Sequence, residues 1–400
     1  MRLNPCELAI DLMCRGLEVG PTCDLARDAR GLSRTRAGLG SGLELVAEGA
    51  PPRDRPVWLN APITEGFVSS TPWRLDFDDR YFVLDRRDGE RYAVSLPSEP
   101  AWYGRKTNSG LEMQDVGVLQ GTYLGIYIGP ICRYWRSEDE KQCRFCTTGL
   151  NVNPSLQKSV QDVVETALAA KQESGVTFVH LNTGYQEGAA VRLVKPYVEA
   201  LKREVGVLVG VQIAPEVPTS EFDELIDLGV DHLSFCFEYF DQDAFARFCP
   251  GKEDTLGQQA FLDTLAHCQS RMPRGACSGE IIAGNEPIAK TLEAIEFITK
   301  LGAFPTVCIF RPLTGSAMED WPSPEPADMR RVLQHLWRSC RDRGIPIGLA
   351  PNIEVSLVIQ PNDAAYLSNG GWRDRIYLWR NALLKRLARP LFRKRMRMRN

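Results

Sequence analysis

The stretch GTYLGIYIGPICRYWRSEDEKQCRFC, residues 121–146, decides how the rest of the chain is interpreted. Its first ten residues are mostly apolar and predict a short β-strand. The loop after them carries Cys132, Cys143 and Cys146, and neither a Cys nor a His follows within the next thirty residues. A structural zinc site needs four ligands, whereas an iron–sulfur cubane held by three thiolates keeps one iron open for a small molecule.

A regular alternation of strand and helix patterns surrounds this loop. For example, SVQDVVETALAAKQESG (159–175) predicts a helix that ends at Gly175, and VTFVHLNTG (176–184) predicts a strand. Six or seven such β-α units follow one another, and GIPIGLAP (344–351) is predicted to be the last strand. This order implies parallel strands with crossover helices, in a doubly wound sheet or in a closed or partly closed barrel. In either fold ligands gather at the carboxyl ends of the strands, where the three-cysteine loop is expected to lie.

The two ends of the chain differ from this central region. Residues 1–115 predict a small β-containing N-terminal extension, in which YFVLDRRDGERYAVSL (81–96) is a hairpin with Asp88-Gly89 as its turn. Residues 361–400 predict a basic amphipathic helix and tail that could touch a membrane surface, a phosphate-bearing substrate or an acidic electron donor. The favoured interpretation is a helix packed on the protein through apolar residues and followed by a solvated tail. Those residues are Ile376, Leu378, Trp379, Leu383 and Leu384.

Composition and charge narrow the class of protein. The 400 residues are 44% hydrophobic and 25% charged, with a net charge of −3, so no nucleic-acid partner is expected. Glu7 and Asp11 interrupt the first apolar run, which is therefore no signal peptide, and no apolar run is long enough to predict a membrane span. We expect a cytoplasmic protein. Its twelve cysteines are then reduced thiols, metal ligands or catalytic groups rather than disulfides.

The three-cysteine loop resembles the cluster motif of the radical S-adenosylmethionine (radical SAM) superfamily. In that motif three cysteines spaced C-x3-C-x2-C follow the first strand of a partial or full (β/α) barrel, with an aromatic residue before the last one. Phe145 has that place here, but ten residues instead of three separate Cys132 from Cys143. The charged insertion RSEDEK is expected to bulge into solvent while its ends converge on the cluster. The wider spacing leaves the subfamily open.

Later stretches resemble the cosubstrate contacts of the same superfamily. HLNTG (180–184) stands where a Gly-Gly-Glu-like turn holds the methionine amino group, and CSGEIIAGNEP (277–287) and CIFRPLTGS (308–316) resemble its fifth and sixth strands. FEYFDQDAFARFCPGK (237–252) resembles an E-x-F-D…PGK pattern, which implies that Glu238 binds the ribose hydroxyls and that Lys252 or Arg247 binds the methionine carboxylate. The cofactor-binding residues expected from this resemblance are Phe145, Asn182, Thr183, Gly184, Gln212, Glu238, Arg247, Lys252, Ser278 and Arg311.

The remaining cysteines are weighed against a packing role. Ser234, Cys236 and Glu238 alternate along one strand, so Cys236 is expected to face the barrel lumen, where a thiol can donate a hydrogen atom to a substrate radical. Free cysteines are more often small core residues, and this is expected of Cys268, Cys277, Cys308 and Cys340. Three further cysteines could ligate an auxiliary cluster, although an N-terminal helix that buries the first two is favoured. They are Cys6, Cys14 and Cys23.

The resemblance implies an enzyme with a [4Fe–4S] cluster and S-adenosylmethionine as cofactors and a flavodoxin or ferredoxin type electron donor. Reductive cleavage of S-adenosylmethionine then gives a 5′-deoxyadenosyl radical, which takes hydrogen from a small-molecule substrate in natural-product or cofactor biosynthesis. Two alternatives stay open. One is a radical sulfur-insertion enzyme that uses an auxiliary cluster, and the other is a non-catalytic iron–sulfur or zinc scaffold.

Overall fold

The computed structural model describes residues 2–23, 25, 42–51, 53–151, 157–215 and 218–397. The first element is the helix α1 (Pro5–Arg15). The side chain of Asn4 accepts hydrogen bonds from the amides of Cys6 and Glu7, and Glu7 accepts one from the amide of Asn4. This reciprocal capping fixes the start of the helix, and Pro5 is tolerated in its first turn because no amide is needed there.

A six-stranded sheet follows α1. Its strands are β1 (Glu18–Val19), β2 (Leu43–Ala47), β3 (Val57–Ala61), β4 (Trp73–Asp78), β5 (Arg80–Asp85) and β6 (Arg91–Ser95), in the order β1-β4-β5-β6-β2-β3. All neighbours are antiparallel except β1 and β4. The pair β5 and β6 forms the hairpin that the sequence predicts at residues 81–96. The N-terminal region thus holds a sheet of its own, larger than a single hairpin.

The second sheet has seven strands, which lie side by side in chain order. They are β7 (Val118–Gln120), β8 (Tyr123–Tyr127), β9 (Phe178–Gly184), β10 (Leu208–Ile213), β11 (His232–Glu238), β12 (Cys277–Ala283) and β13 (Phe304–Ile309). Neighbours from β8 to β13 are parallel, and β7 is antiparallel to β8. Because no pairing joins β13 back to the first strands of the described sheet, this is a partial (β/α) barrel. The predicted α/β barrel class is confirmed.

The predicted last strand at residues 344–351 is wrong, since these residues form no strand. Pro346 has no amide hydrogen to give to a neighbouring strand. The amide of Ile347 donates instead to the side chain of Asn381, at 3.3 Å. Gly348 takes a left-handed conformation, with φ of 61°, which also breaks an extended run. The segment therefore ends the barrel as a loop.

Helices connect the parallel strands, with the ends that the sequence favours. The helix after β8 is capped by Ser159, whose side chain accepts from the amide of Asp162, and it ends at Gly175 with φ of 65°. Up to Ala364 the α-helices are α2 (Met113–Val116), α3 (Thr148–Asn151), α4 (Val160–Ser174), α5 (Ala190–Ala200), α6 (Glu221–Asp227), α7 (Gln242–Phe248), α8 (Pro250–Thr255), α9 (Gly257–Arg271), α10 (Ile288–Leu301), α11 (Pro326–Arg343) and α12 (Pro361–Ala364). Single turns of other helix types lie at Gly66–Ser70, Ala101–Gly104, Leu201–Val205 and Ala365–Leu367.

The last helix is α13 (Trp372–Arg395). It packs on the barrel through Asp374, Tyr377 and Asn381, which are buried. The expectation that Ile376, Trp379 and Leu383 pack is wrong, because these three side chains are exposed. None of the described helices combines the length and the apolar character needed to cross a bilayer.

Candidate functional site

The three thiols of the loop after β8 face one cavity of about 850 Å³, which lies on the inner face of the barrel. Cys132, Cys143 and Cys146 all line it. Between the first two, the charged insertion lies at the surface with Glu138, Asp139 and Glu140 exposed. The insertion thus projects into solvent while its ends reach the same cavity, as the sequence predicts.

The turn after β9 holds Cys132 in place. The amide of Tyr185 donates to the sulfur of Cys132 at 3.4 Å, and the amide of Arg133 donates to the carbonyl of Tyr185 at 3.1 Å. The ring of Tyr134 stacks on that of Tyr185, with 4.4 Å between their centres. Gly184 has φ of 62°, and a Cβ atom there would lie 2.7 Å from the Cβ of Cys132. This position therefore requires glycine for its conformation and for its close contact with the loop.

The connection between α7 and α8 holds the second half of the loop. The amide of Arg144 donates to the carbonyl of Phe248 at 2.9 Å, and the amide of Gly251 donates to the carbonyl of Lys141 at 3.1 Å. A Cβ atom on Gly251 would lie 2.5 Å from that carbonyl oxygen, so the glycine permits the contact. The PGK stretch therefore buttresses the cysteine loop as well as carrying Lys252.

A fourth thiol, which the sequence did not single out, touches the site. Cys249 is fully buried, and its thiol hydrogen-bonds the sulfur of Cys143. This bond and the nearby Lys252 ammonium lower the pKa of Cys143 despite its burial. Burial raises the pKa of Cys132 and of Cys146. Cys143 is thus the thiol whose surroundings most favour the thiolate.

A buried ion pair lies beside the thiols. The Lys252 ammonium is 2.7 Å from a carboxylate oxygen of Glu238 and 2.7 Å from the carbonyl oxygen of Cys236. Burial alone would lower the pKa of Lys252, but Glu238 and the surrounding thiols raise it well above its ordinary value. Glu238 has φ of 64° at a break in the pairing of β11 with β12. A non-glycine residue in this conformation at the end of a strand is typical of a functional site.

Polar side chains of three further strands form a hydrogen-bond network next to this ion pair. Gln212 donates to the sulfur of Cys236 at 2.8 Å and also to the carboxylate of Glu280. Asn182 donates to the side-chain oxygen of Gln212. Burial raises the pKa of Glu280, to which the Cys236 thiol donates at 3.1 Å. Glu280 is not among the predicted site residues, although it lies two residues after Ser278 on the same strand, and period-two alternation puts the two on one face.

Most of the predicted site residues share this cavity, and three do not line it. Thr183 is buried and donates to the carbonyl of Gly184, and Ser278 hydrogen-bonds His232 at 3.0 Å. Arg247 lies outside, with its guanidinium 5.2 and 5.3 Å from the ring centres of Phe248 and Trp321. The predicted residues that line the cavity are Cys132, Cys143, Phe145, Cys146, Asn182, Gly184, Gln212, Cys236, Glu238, Lys252 and Arg311.

Arg311 and Cys308 have surroundings that the sequence did not predict. Arg311 lines the cavity but is 2% exposed, and its guanidinium donates to the side chain of Asn60, at 2.8 Å, and to the Asn60 carbonyl. It therefore joins the barrel to β3 of the N-terminal sheet. Cys308, expected to be a packing residue, lines the cavity.

The end of the cavity away from the cysteine loop is aromatic. Phe178 stacks on His180 with 5.7 Å between ring centres, and His232 lies near both. Burial lowers the pKa of His180 to about 3 and that of His232 to about 4, so both rings are neutral at pH 7. The cavity thus has a polar, charged end at the thiols and a largely apolar body.

The N-terminal cysteines have other surroundings. Cys6 and Cys14 are buried in α1, as its helical pattern predicts, and Cys23 donates to the carbonyl of Leu75 at 3.4 Å. Across the described residues, no three His, Cys, Asp or Glu side chains are grouped so that they could hold a single metal ion, and this includes Cys132, Cys143 and Cys146 as they are placed here.

No family model matches the chain. The chain is similar to two solved structures of Streptococcus suis SuiB. The structure bound to S-adenosylmethionine has a TM-score of 0.41 and 14% identity, and the match covers 56% of this chain and 50% of that SuiB chain. The structure bound to the precursor peptide SuiA has a TM-score of 0.43 and 12% identity, and the match covers 66% of this chain and 68% of that SuiB chain.

A curated relative is bacteriochlorophyllide c C-7(1)-hydroxylase of Chlorobaculum limnaeum, 24% identical over 209 residues, which are 46% of this chain and 52% of the relative. The match thus spans about half the length of that relative.

Proposed function

We propose that the chain is a radical SAM enzyme, which cleaves S-adenosylmethionine reductively at a [4Fe–4S] cluster and abstracts a hydrogen atom from an unactivated C–H bond of a small, largely apolar substrate. Cys132, Cys143 and Cys146 would hold the cluster. The observation that carries the proposal is that these three thiols and the buried Glu238–Lys252 pair face one cavity.

The donor set fits such a cluster. Two of the three sulfurs already accept backbone hydrogen bonds, Cys132 from Tyr185 and Cys146 from Thr148, both at 3.4 Å. Hydrogen bonds from backbone amides to sulfur stabilise cluster thiolates and tune the reduction potential of the cluster. The Lys252 ammonium adds positive charge beside Cys143. Three thiolates leave one iron open, as cofactor chelation requires.

The other polar residues match the parts of S-adenosylmethionine. When bound, the cluster and S-adenosylmethionine supply a 5′-deoxyadenosyl radical. The Lys252 ammonium would bind the methionine carboxylate, and Glu238 would accept hydrogen bonds from the ribose hydroxyls. Asn182 and Gln212, which line the same wall, would orient the methionine amino group. A flavodoxin or ferredoxin type protein would supply one electron for each cleavage.

The body of the cavity selects the substrate class. Its walls include the apolar side chains of Phe261, Ile282, Phe304, Phe310 and Leu313, which exclude water and favour an apolar molecule. The similarity to an enzyme that acts on bacteriochlorophyllide c supports a role in the biosynthesis of a natural product or cofactor.

Cys236 is the proposed hydrogen-atom donor to the substrate radical. Burial and the carboxylates of Glu280 and Glu238 raise the pKa of Cys236 well above its ordinary value, which keeps it a protonated thiol. It lines the cavity on the same strand as Glu238. A protonated thiol in that position has a hydrogen atom to give, and one further electron from the flavodoxin or ferredoxin type donor, with one proton, would convert the resulting thiyl radical back to the thiol.

The test is cleavage of S-adenosylmethionine by the anaerobically reconstituted protein with dithionite, measured as 5′-deoxyadenosine. Cys143→Ala is expected to abolish the product, whereas the matched variant Cys249→Ala, which removes a neighbouring thiol that is also buried, is expected to retain it. When a deuterium-labelled substrate is supplied, deuterium is expected to appear in the 5′-deoxyadenosine. No product from the wild type, or equal loss in both variants, would refute the proposed cluster ligands.

A further inference from the structure

The last helix presents an apolar stripe to solvent. Its members are three or four residues apart and therefore lie along one face of α13. Two of them are tryptophans, which are 71% and 68% exposed. An exposed apolar patch of this length is uncommon on the surface of a soluble protein unless it is an interaction site. The stripe consists of Trp372, Ile376, Trp379, Leu383, Leu387 and Leu391.

The orientation of this stripe is fixed by the opposite face of the helix. Asp374 accepts from the indole of Trp337 at 2.9 Å and from Arg341 at 2.8 Å. Tyr377 donates to the carbonyl of Ile345 at 2.6 Å, and near the end of the helix Arg395 pairs with Asp231 at 2.7 Å. These bonds anchor the helix along its length, so the stripe from Trp372 to Leu387 faces away from the barrel.

The stripe lies among positive charges. Nine of the 24 residues of α13 are Lys or Arg, and the acidic residue, Asp374, is buried. Within the described part of the chain, two of these nine residues have an acidic partner within ion-pair distance, namely Arg373 and Arg395. The whole chain has a net charge of −3, so this helix departs sharply from the rest of the molecule.

We propose that α13 lies in the interface of an anionic membrane, with its apolar stripe among the acyl chains and its Lys and Arg side chains at the headgroups. An apolar face with tryptophan, flanked by Lys and Arg, is the pattern of an interfacial helix. Each cation near an anionic surface adds attraction, and the seven basic residues without described acidic partners are available for it. A second copy of this chain is a poorer partner, because two such helices would bring like charges together.

The cavity is continuous with this surface. Ala388, Leu391, Phe392 and Arg395 line it, and Leu391 also belongs to the exposed stripe. Docking of α13 would therefore place one end of the largely apolar cavity at the lipid surface.

The test is cosedimentation of the full chain with vesicles of phosphatidylcholine alone and of phosphatidylcholine with about 30% phosphatidylglycerol. We expect binding to the anionic vesicles and a blue shift of tryptophan emission. Trp372→Ser with Trp379→Ser should weaken binding by about tenfold or more. Arg386→Gln with Arg389→Gln should weaken it by about 25-fold, at roughly fivefold for each charge. Phe77→Ser, an exposed aromatic on β4, is the matched control and should bind as the wild type does.

Several outcomes would overturn the proposal. These are no binding of the wild type to anionic vesicles, equal binding by the tryptophan variant, or a dimer in sedimentation velocity that the tryptophan variant dissolves. The last result would assign the stripe to a second copy of the chain. Cleavage of S-adenosylmethionine measured without lipid is expected to be unchanged in all these variants, so failure of membrane docking and failure of the proposed chemistry are separate results.

Discussion

Replacement of Lys252 by methionine tests the buried ion pair at the centre of the site. Both side chains of the Lys252–Glu238 pair are 14% exposed, and their charged atoms are 2.7 Å apart. Methionine keeps most of the volume but leaves the Glu238 carboxylate enclosed without its cation, near Glu280. Breaking a buried pair from one side costs about 3–5 kcal/mol, so we expect the free energy of unfolding to fall by that amount.

The measurement is urea unfolding, followed by S-adenosylmethionine binding to the reconstituted protein. Lys195→Met is the matched control, because the Lys195–Glu224 pair is exposed and screened by water, so its loss should leave the free energy of unfolding nearly unchanged. The double variant Lys252→Met, Glu238→Gln removes both charges and should recover much of the lost stability. We expect its affinity for S-adenosylmethionine to stay at least about tenfold below wild type, at a cost of roughly 1.4 kcal/mol or more.

Two results would refute this reasoning. A loss of less than about 1 kcal/mol in Lys252→Met would show that the pair is effectively solvated. Wild-type affinity for S-adenosylmethionine in the double variant would show that the pair is structural and does not bind the cofactor.

Two further predictions concern the glycine turn and the buried histidines. Gly184→Ala and Gly229→Ala both place alanine at a positive φ, which costs about 1 kcal/mol. The two positions differ in their contacts, because a Cβ atom at position 184 meets Cys132, whereas one at position 229 meets nothing within 4 Å. Only Gly184→Ala should lower iron content after reconstitution, and equal iron in both would contradict the proposed contact. Because the pKa values of His180 and His232 are lowered to about 3 and about 4, unfolded chains bind protons below pH 6.5 that the folded chain does not. The free energy of unfolding should therefore fall as the pH falls from 6.5 toward 4, by on the order of 1–2 kcal/mol per pH unit. The double variant His180→Gln, His232→Gln should show a smaller dependence on pH when urea unfolding is measured across this range. An unchanged pH dependence in the double variant would contradict the assignment of buried, neutral rings.

The sequence predicts much of the barrel because its local signals agree. Ser159 and Gly175 bound a helix that the structure confirms, and the strand on each side of it pairs in parallel. The last predicted strand failed for a reason visible in its residues, since Pro346 cannot donate to a sheet and Gly348 adopts a positive φ. Apolar content alone could not reveal that a side chain, Asn381, takes the amide of Ile347.

The candidate site was predictable where spacing along the chain carries the information. Alternation along β11 predicts that Cys236 and Glu238 face the same cavity, and both line it. Cys249 touches Cys143 through a tertiary contact between sequence-distant loops, which no spacing rule reveals. Arg311 forms hydrogen bonds with Asn60 of another sheet, 251 residues away in the chain. Its place in the sequence therefore could not show which partner it meets.

The apolar face of α13 shows a different limit. A periodic apolar pattern indicates that one helical face avoids water but does not identify what covers it. Tyr377 and Asn381 anchor the helix, and the larger apolar residues Trp379 and Leu383 face outward. The direction of the helix relative to the barrel decides this, and that direction depends on contacts with α11 and with residues 345–347.

The central claim is that Cys132, Cys143 and Cys146 hold a cluster to which S-adenosylmethionine binds. The most direct measurement is the electron paramagnetic resonance spectrum of the reduced, reconstituted protein, recorded with and without S-adenosylmethionine and paired with iron and sulfide analysis. We predict about four iron and four sulfide per chain and a change in the g-values when S-adenosylmethionine is added. One zinc per chain without sulfide, or a cluster spectrum that S-adenosylmethionine leaves unchanged, would contradict the account.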